Sequence, residues 1–95
     1  MGYPIDRGFG FAGSPNPSTV CDIAEEVLRA RKKFPGNRFL LAALTEEVGE
    51  LARATLQRKP ENIIKEAIQV AAVAIRIIEE GDSAFADVTD DEAKP

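Results

Sequence analysis

Apolar residues between positions 20 and 78 recur at the three- and four-residue spacing of α-helices, and this periodicity constrains the fold more than any other feature. The pattern is interrupted at positions 35–36 and 58–60, which hold proline, and it ends at Gly81. Proline and glycine in these places are typical of helix termini. The sequence therefore predicts no β-strand and three main helices, over residues 18–34, 38–57 and 60–80.

The predicted helix ends carry residues that are suited to capping. Thr19 and Asp22 form a capping-box-like start of the first helix, and Asn37 is the expected N-cap of the second. Pro60 suits the first turn of the third helix, and Gly81 suits its C-terminal cap. Because the connections are short, we expect neighbouring helices to be antiparallel, in an all-α antiparallel helical bundle.

A chain of 95 residues is one domain at most, and it gives a core of limited stability. The third helix is apolar around most of its circumference, so three helices of this size leave part of it uncovered. We therefore expect dimerisation to complete the bundle, as a homodimer or a dimer of dimers. The predicted regions are a Gly/Pro-rich N-terminal arm over 1–17, a helical domain over 18–81, and an acidic, largely frayed C-terminal tail over 82–95.

The composition excludes several classes of function. A net charge of −4 argues against nucleic-acid binding, which depends on clustered lysine and arginine. With no histidine and one cysteine, the chain has no histidine-based metal site, no histidine-activated nucleophile and no internal disulfide. A metal would need oxygen ligands, which favours Mg²⁺ or Mn²⁺. The chain shows neither a signal peptide nor a membrane span, so we expect a cytoplasmic protein.

Four glutamates lie where the helical pattern expects apolar or small residues. Glu46, Glu47 and Glu50 border the apolar stripe of the second helix, and Glu66 lies within that of the third. A carboxylate among apolar side chains must be paired or bind a cation, because burying it alone costs several kcal/mol. Antiparallel helices would bring these acids around one or two cations. Alternatively, Glu66 pairs with an arginine such as Arg53, and the other three are half-exposed.

Two segments resemble the MazG-like all-α NTP pyrophosphatases. Residues 44–52 read LTEEVGELA and residues 64–73 read IKEAIQVAAV. The family's signature is E-E-x-x-E on one helix and E-x-x-D on the next, which together bind Mg²⁺. The resemblance covers residues 20–80, and it implies a helical bundle completed by a second subunit.

The resemblance also implies roles for individual residues. Glu46, Glu47 and Glu50 match the first motif, and Glu66 matches the first position of the second. Gln69 stands where the family usually has aspartate, and its amide oxygen still suits Mg²⁺ or a water although it adds no charge. The implied metal ligands are these five residues. Glu46 and Glu47 are the candidate catalytic residues, with Glu46 as either a ligand or the base that takes a proton from the attacking water.

The activity that the resemblance implies is hydrolysis between the α and β phosphates of a nucleoside triphosphate, giving a monophosphate and pyrophosphate. Lys33 and Phe34 resemble a lysine–aromatic pair of some relatives, in which lysine contacts phosphate and the ring stacks on a base. Alternatively, they are a helix-ending lysine and a core phenylalanine. Lys65 and Arg76 are further candidates for phosphate binding. The alternative function is a nucleotide-binding or dimerisation module that keeps the scaffold with weakened catalysis.

Overall fold

The structure is a computed structural model that describes residues 13–87, so most of the N-terminal arm and residues 88–95 of the tail lie outside it. The described part of the chain contains α-helices and no strand, and this confirms the predicted all-α class. A short 3-10 helix follows the third helix. The elements are α1 (Pro17–Lys33), α2 (Leu40–Leu56), α3 (Pro60–Glu80) and the 3-10 helix (Ser83–Asp87).

The helix α3 is the centre of the fold, because both α1 and α2 pack against it and no Cα atoms of α1 and α2 come within 8 Å of each other. Arg31, near the end of α1, forms ion pairs with Glu79 and Glu80 at the end of α3, so α1 and α3 are parallel. The start of α2 lies beside Asp82, just after α3, so α2 and α3 are antiparallel. α1 and α2 are therefore antiparallel in direction, as predicted, but the helix that α1 packs against is α3 and not its neighbour in sequence.

The start of α1 differs from the predicted capping box at Thr19 and Asp22. Asn16 is the N-cap, and its side-chain oxygen accepts a hydrogen bond from the backbone N–H of Ser18 at 2.9 Å. Pro17 occupies the first turn, where its fixed φ angle suits a helix and its missing N–H is no loss. Asparagine followed by proline is the stronger start signal.

The start of α2 corrects a second prediction, because Asn37 is not its cap. The helix begins after Phe39, which has a left-handed backbone and no capping hydrogen bond of its own. The carboxylate of Asp82 instead accepts from the backbone N–H groups of Phe39 and Leu41, at 2.9 and 2.8 Å. The side chain of Asn37 donates to the backbone carbonyl of Glu80 at 2.7 Å. Both contacts join residues distant in sequence, which no local pattern reveals.

The predicted ends of α3 are confirmed. Pro60 lies in its first turn, and Gly81 ends it with a φ of 72°. The N–H of Gly81 donates to the carbonyl of Ile77 at 2.9 Å, which satisfies one of the free carbonyls at the helix end. The chain remains ordered beyond this point, since Asp82 contacts α2, so the predicted tail begins with a folded segment.

The core of the single chain is small. Its buried apolar residues are Val27, Leu40, Ala54 and Ala72, and none of these has a large aromatic side chain. Large apolar side chains stay exposed on every helix, including Leu28 on α1, with 61% exposure. A surface of this kind is expected of a subunit that associates with another chain. No helix within residues 13–87 has both the length and the hydropathy that a membrane span requires.

Candidate active site

The antiparallel packing of α2 and α3 brings Glu47 and Glu66 together. Both side chains are half-buried. Burial raises the pKa of the Glu47 carboxyl, and so do the negative charge of Glu66 and a hydrogen bond between the two carboxyls. The charges of Glu46 and Glu50 raise it further. Three of the glutamates that the sequence singled out therefore act electrostatically on the fourth, Glu47.

Glu50 also has a basic partner. Its Oε1 accepts a hydrogen bond from Nη1 of Arg53 at 3.2 Å, and much of both side chains is exposed. The arginine that the alternative interpretation assigned to Glu66 is therefore paired with Glu50. An exposed pair of this kind contributes about 0–1 kcal/mol, so Glu50 can leave Arg53 at little cost.

The donor atoms of the cluster fit a hard divalent ion, but their present arrangement does not yet form a metal site. Glutamate oxygens and the Gln69 amide oxygen are the ligand types that Mg²⁺ prefers. Among residues 13–87, no group of three acidic side chains is placed to hold a metal ion. The pairing of Glu50 with Arg53 accounts for part of this, because it engages one of the four carboxylates. Metal binding would require side-chain rotation within the cluster.

A cleft of about 500 Å³ opens beside the cluster, within the size range of ligand pockets. The acids Glu46 and Glu47 line one part of it, together with Gln69. The end of α1 and the connection from α1 to α2 supply most of the remaining wall. Glu50 and Glu66 are not among its lining residues. The predicted binding residues that line it are Lys33, Phe34 and Arg76.

Two of the predicted substrate residues lie at the open side of this cleft. Phe34 is 63% exposed, so the alternative that it is a core residue is wrong. The ammonium of Lys33 lies 5.4 Å from the centre of the Phe34 ring, within cation–π range. Lys65 lies outside the cleft and lines a neighbouring depression, to which Lys33 and Gln69 also contribute.

Arg76 lines the cleft, but its guanidinium is already engaged. The side chain is 3% exposed, and it donates to Glu80 at 2.9 and 3.0 Å and to the carbonyl of Gly36 at 2.6 Å. Arg76 first, and then Arg31, lower the pKa of Glu80 to about 2. Arg76 therefore anchors the connection before α2 to the end of α3, and its binding of phosphate stays a prediction.

The sequence reasoning missed Asp82 and Phe39. Asp82 accepts three backbone hydrogen bonds, and its pKa is lowered most by that of Leu41, then by those of Ala84 and Phe39. The bond from Ala84 is a local Asx turn, which the sequence signals because aspartate commonly bonds the backbone two residues on. The bonds to the start of α2 span more than forty residues and leave no such signal.

No protein-family model matches the chain, and searches of curated proteins and of solved structures also find no match. Its function is therefore inferred from the residues of the site.

Proposed function

We propose that this protein is a Mg²⁺-dependent nucleoside triphosphate pyrophosphohydrolase, which cleaves an NTP or dNTP to the monophosphate and pyrophosphate. Mn²⁺ is the alternative metal. The observation that carries the proposal is the half-buried Glu47, whose pKa is raised by burial and by Glu66, beside a cleft that also presents Lys33 and Phe34. Perturbed carboxyls in a cleft are common at catalytic and metal sites.

The glutamates have distinct roles in this proposal. Glu47, Glu50 and Glu66 hold the metal, and Gln69 adds a neutral oxygen donor. When bound, the metal supplies charge neutralisation at the phosphate oxygens and lowers the pKa of water. Glu46 is exposed on the cleft wall, so it is the fourth ligand or the base that accepts the proton of the attacking water.

The opposite part of the cleft receives the substrate. Lys33 is placed to contact phosphate oxygens, and the exposed ring of Phe34 is placed to stack on the base. Lys65, in the neighbouring depression, extends the positive charge along this surface. Arg76 contributes by holding the cleft wall, and it contacts phosphate only if Glu80 or Gly36 gives up a hydrogen bond.

The protein acts as a homodimer or a dimer of dimers in this proposal. The small core and the exposed apolar side chains of α1 support association. A predominantly apolar groove lies between α1 and α3 and is lined by Leu28 and Ile75, among others. We propose that the subunit interface lies in this groove. We also propose that the protein is located in the cytoplasm.

Two observations favour a second candidate function. Gln69 stands where the resembled family has an acid, and no three acidic side chains of the described chain are placed to hold a metal ion. A nucleotide-binding or dimerisation module with weakened catalysis would have both properties. Measurements of hydrolysis and of metal binding distinguish this module from the proposed enzyme.

The test is a panel of NTPs and dNTPs incubated with Mg²⁺ or Mn²⁺, with monophosphate and pyrophosphate quantified by chromatography. We expect product with at least one nucleotide, and its loss in Glu47→Gln and Glu66→Gln. Glu25→Gln, an exposed acid on α1, is the matched control and should retain activity. The absence of product across the panel, with no metal-induced rise in Tm, would overturn the proposed enzymatic activity and favour the module.

A further inference from the structure

Phe39 has a backbone conformation that a bulky residue rarely adopts. Its φ and ψ are 68° and 28°, in the left-handed region, where the side chain crowds the neighbouring carbonyl. Glycine takes this conformation without strain. In the described chain, Arg58 is the only other non-glycine residue with a positive φ. Strained backbone of this kind persists only where the surrounding structure enforces it, and it is found often at binding and catalytic sites.

Hydrogen bonds on both sides of Phe39 enforce this conformation. Asp82 accepts from the N–H of Phe39 and from that of Leu41. Before it in the chain, Arg76 bonds the carbonyl of Gly36, and Asn37 bonds the carbonyl at the end of α3. The whole connection from α1 to α2 is therefore tied to the end of α3.

The strained conformation places an aromatic ring at the cleft. The side chain of Phe39 is 56% exposed, so core packing accounts for less than half of its surface. Phe39 lines the cleft together with Phe34, Glu46 and Glu47. The guanidinium of Arg38 lies 4.8 Å from the centre of the Phe39 ring, which adds positive charge beside it. The exposed ring and the nearby cations match the base and the phosphates of a nucleotide, and the carboxylates would serve the phosphates through a divalent ion.

We propose that Phe39 binds the nucleobase of the substrate by stacking, and that Asp82 is the positioning residue that holds its ring at the cleft. This inference rests on the proposed function and extends it to a second aromatic contact besides Phe34. Stacking on an aromatic side chain accepts any base, because every base has a π face. Phe39 therefore contributes affinity for the base, and it has no contact with the sugar phosphate.

The test compares ligands with and without a base. Binding of AMP, GMP, CMP and UMP and of ribose 5-phosphate is measured by calorimetry in the presence of Mg²⁺. We expect Phe39→Leu to weaken the monophosphate that binds best by about tenfold, as loss of base stacking does, with ribose 5-phosphate unchanged. Phe39→Tyr keeps a ring and should bind as the wild type. Phe85→Leu is the matched control, because Phe85 is also 56% exposed and does not line the cleft.

A second pair of variants separates binding from folding. Phe39→Gly and Phe39→Ala both lack the ring, so both should lose affinity for the monophosphate to the same extent. Glycine relieves the left-handed strain and alanine does not, so Phe39→Gly should have the higher Tm. Equal loss of base affinity at unequal stability would show that the ring, and not the fold, supplies the affinity.

Four results would overturn the inference, and the last of them would also overturn the proposed function. If the Phe39→Leu variant binds every monophosphate as tightly as the wild type does, Phe39 has no role in binding the base. Equal weakening of monophosphates and ribose 5-phosphate would show that the residue acts through the fold. A wild-type protein that hydrolyses NTPs while Phe39→Leu keeps the same KM would contradict the inference and leave the proposed function standing. A wild type that neither binds monophosphates nor hydrolyses NTPs would overturn both.

Discussion

Glu47 on α2 and Glu66 on α3 interact across the helix pair, where burial first and then Glu66 raise the pKa of the Glu47 carboxyl. Burial and a neighbouring negative charge both favour the neutral form of Glu47. We expect a divalent ion to offset both effects, because it favours the ionised form of the two carboxylates at once.

The Glu47 pair makes stability depend on pH in a defined direction. Because the folded-state pKa of Glu47 is raised, its contribution to stability is present at low pH and is lost as the pH rises through that pKa. We therefore expect Glu47→Gln, which stays neutral, to raise the Tm of the metal-free protein by a few degrees at neutral pH. Thermal melts across the acidic to neutral range, with Glu25→Gln as control, measure this. A lower Tm in Glu47→Gln would contradict the assignment.

The metal site can be tested by adding a negative charge at Gln69. Its side chain is half-buried and lines the cleft beside Glu46 and Glu47. Gln69→Asp should tighten Mg²⁺ binding by about tenfold, a common size for changes at metal-site partners. Competition of Mg²⁺ with bound Mn²⁺, followed by the electron paramagnetic resonance of Mn²⁺, measures the Mg²⁺ affinity. Asn62→Asp, on the exposed first turn of α3, should leave it unchanged. Equal affinities for wild type and Gln69→Asp would place Gln69 away from the ion.

Asp82 should affect substrate binding more than the chemical step. Asp82→Ala removes the acceptor for the N–H of Phe39, so we expect KM for the best nucleotide to rise severalfold while kcat is retained. Asp82→Asn keeps one acceptor oxygen and should rescue part of the loss. Because the pKa of Asp82 is lowered, its stabilising effect is lost as the pH falls through that pKa. Asp22→Asn on α1 is the control. A fall in kcat with unchanged KM would refute the positioning role.

Arg76 and Arg31 share Glu80, yet their removal should have unequal effects. Arg76 is 3% exposed, whereas Arg31 is about a third exposed. Arg76→Met leaves the Gly36 carbonyl without its donor and Glu80 with Arg31 alone, so we expect it to cost about 3 kcal/mol. Arg31→Met should cost about 1 kcal/mol or less. Urea unfolding measures both free energies. Equal losses would mean that Arg76 is not the anchor of this network.

The subunit interface is tested by placing a charge in the apolar groove between α1 and α3. Leu28 lines this groove and is 61% exposed, so Leu28→Lys should shift a dimer toward monomer. Leu56, at the end of α2, is 83% exposed and lies outside the groove. Leu56→Lys should therefore keep the wild-type assembly. Sedimentation velocity at micromolar concentration distinguishes the species. A wild type that sediments as a stable monomer would refute association.

Much of the fold follows from local patterns. Helical periodicity was sufficient to predict the three helices, and Pro60 and Gly81 were sufficient to place both ends of α3. Local patterns do not specify which helices touch, so they did not reveal that α1 packs on α3 without contacting α2. The cap of α2 was missed for the same reason, because Asp82 reaches Phe39 across more than forty residues.

The candidate site likewise has a part that local sequence patterns predict and a part that depends on long-range contacts. Helix rotation placed Glu47 and Glu66 in or beside apolar stripes but left open whether Glu66 meets the other glutamates or an arginine, and the packing of α2 on α3 brings it to Glu47. The pairing of Arg53 with Glu50, three residues away, was equally within reach of the sequence. The placement of Phe39 depends on its left-handed backbone, which contacts at the far end of the chain maintain. A helical wheel places this residue on α2, where it does not belong.

The central position of α3 has a consequence for synthesis on the ribosome. Since α1 and α2 do not meet, neither finds a packing partner within residues 13–87 until α3 has left the exit tunnel. The first turn of α2 also lacks its cap until Asp82 has emerged. Until then the apolar faces of α1 and α2 are exposed, and a nascent-chain chaperone would bind them most readily.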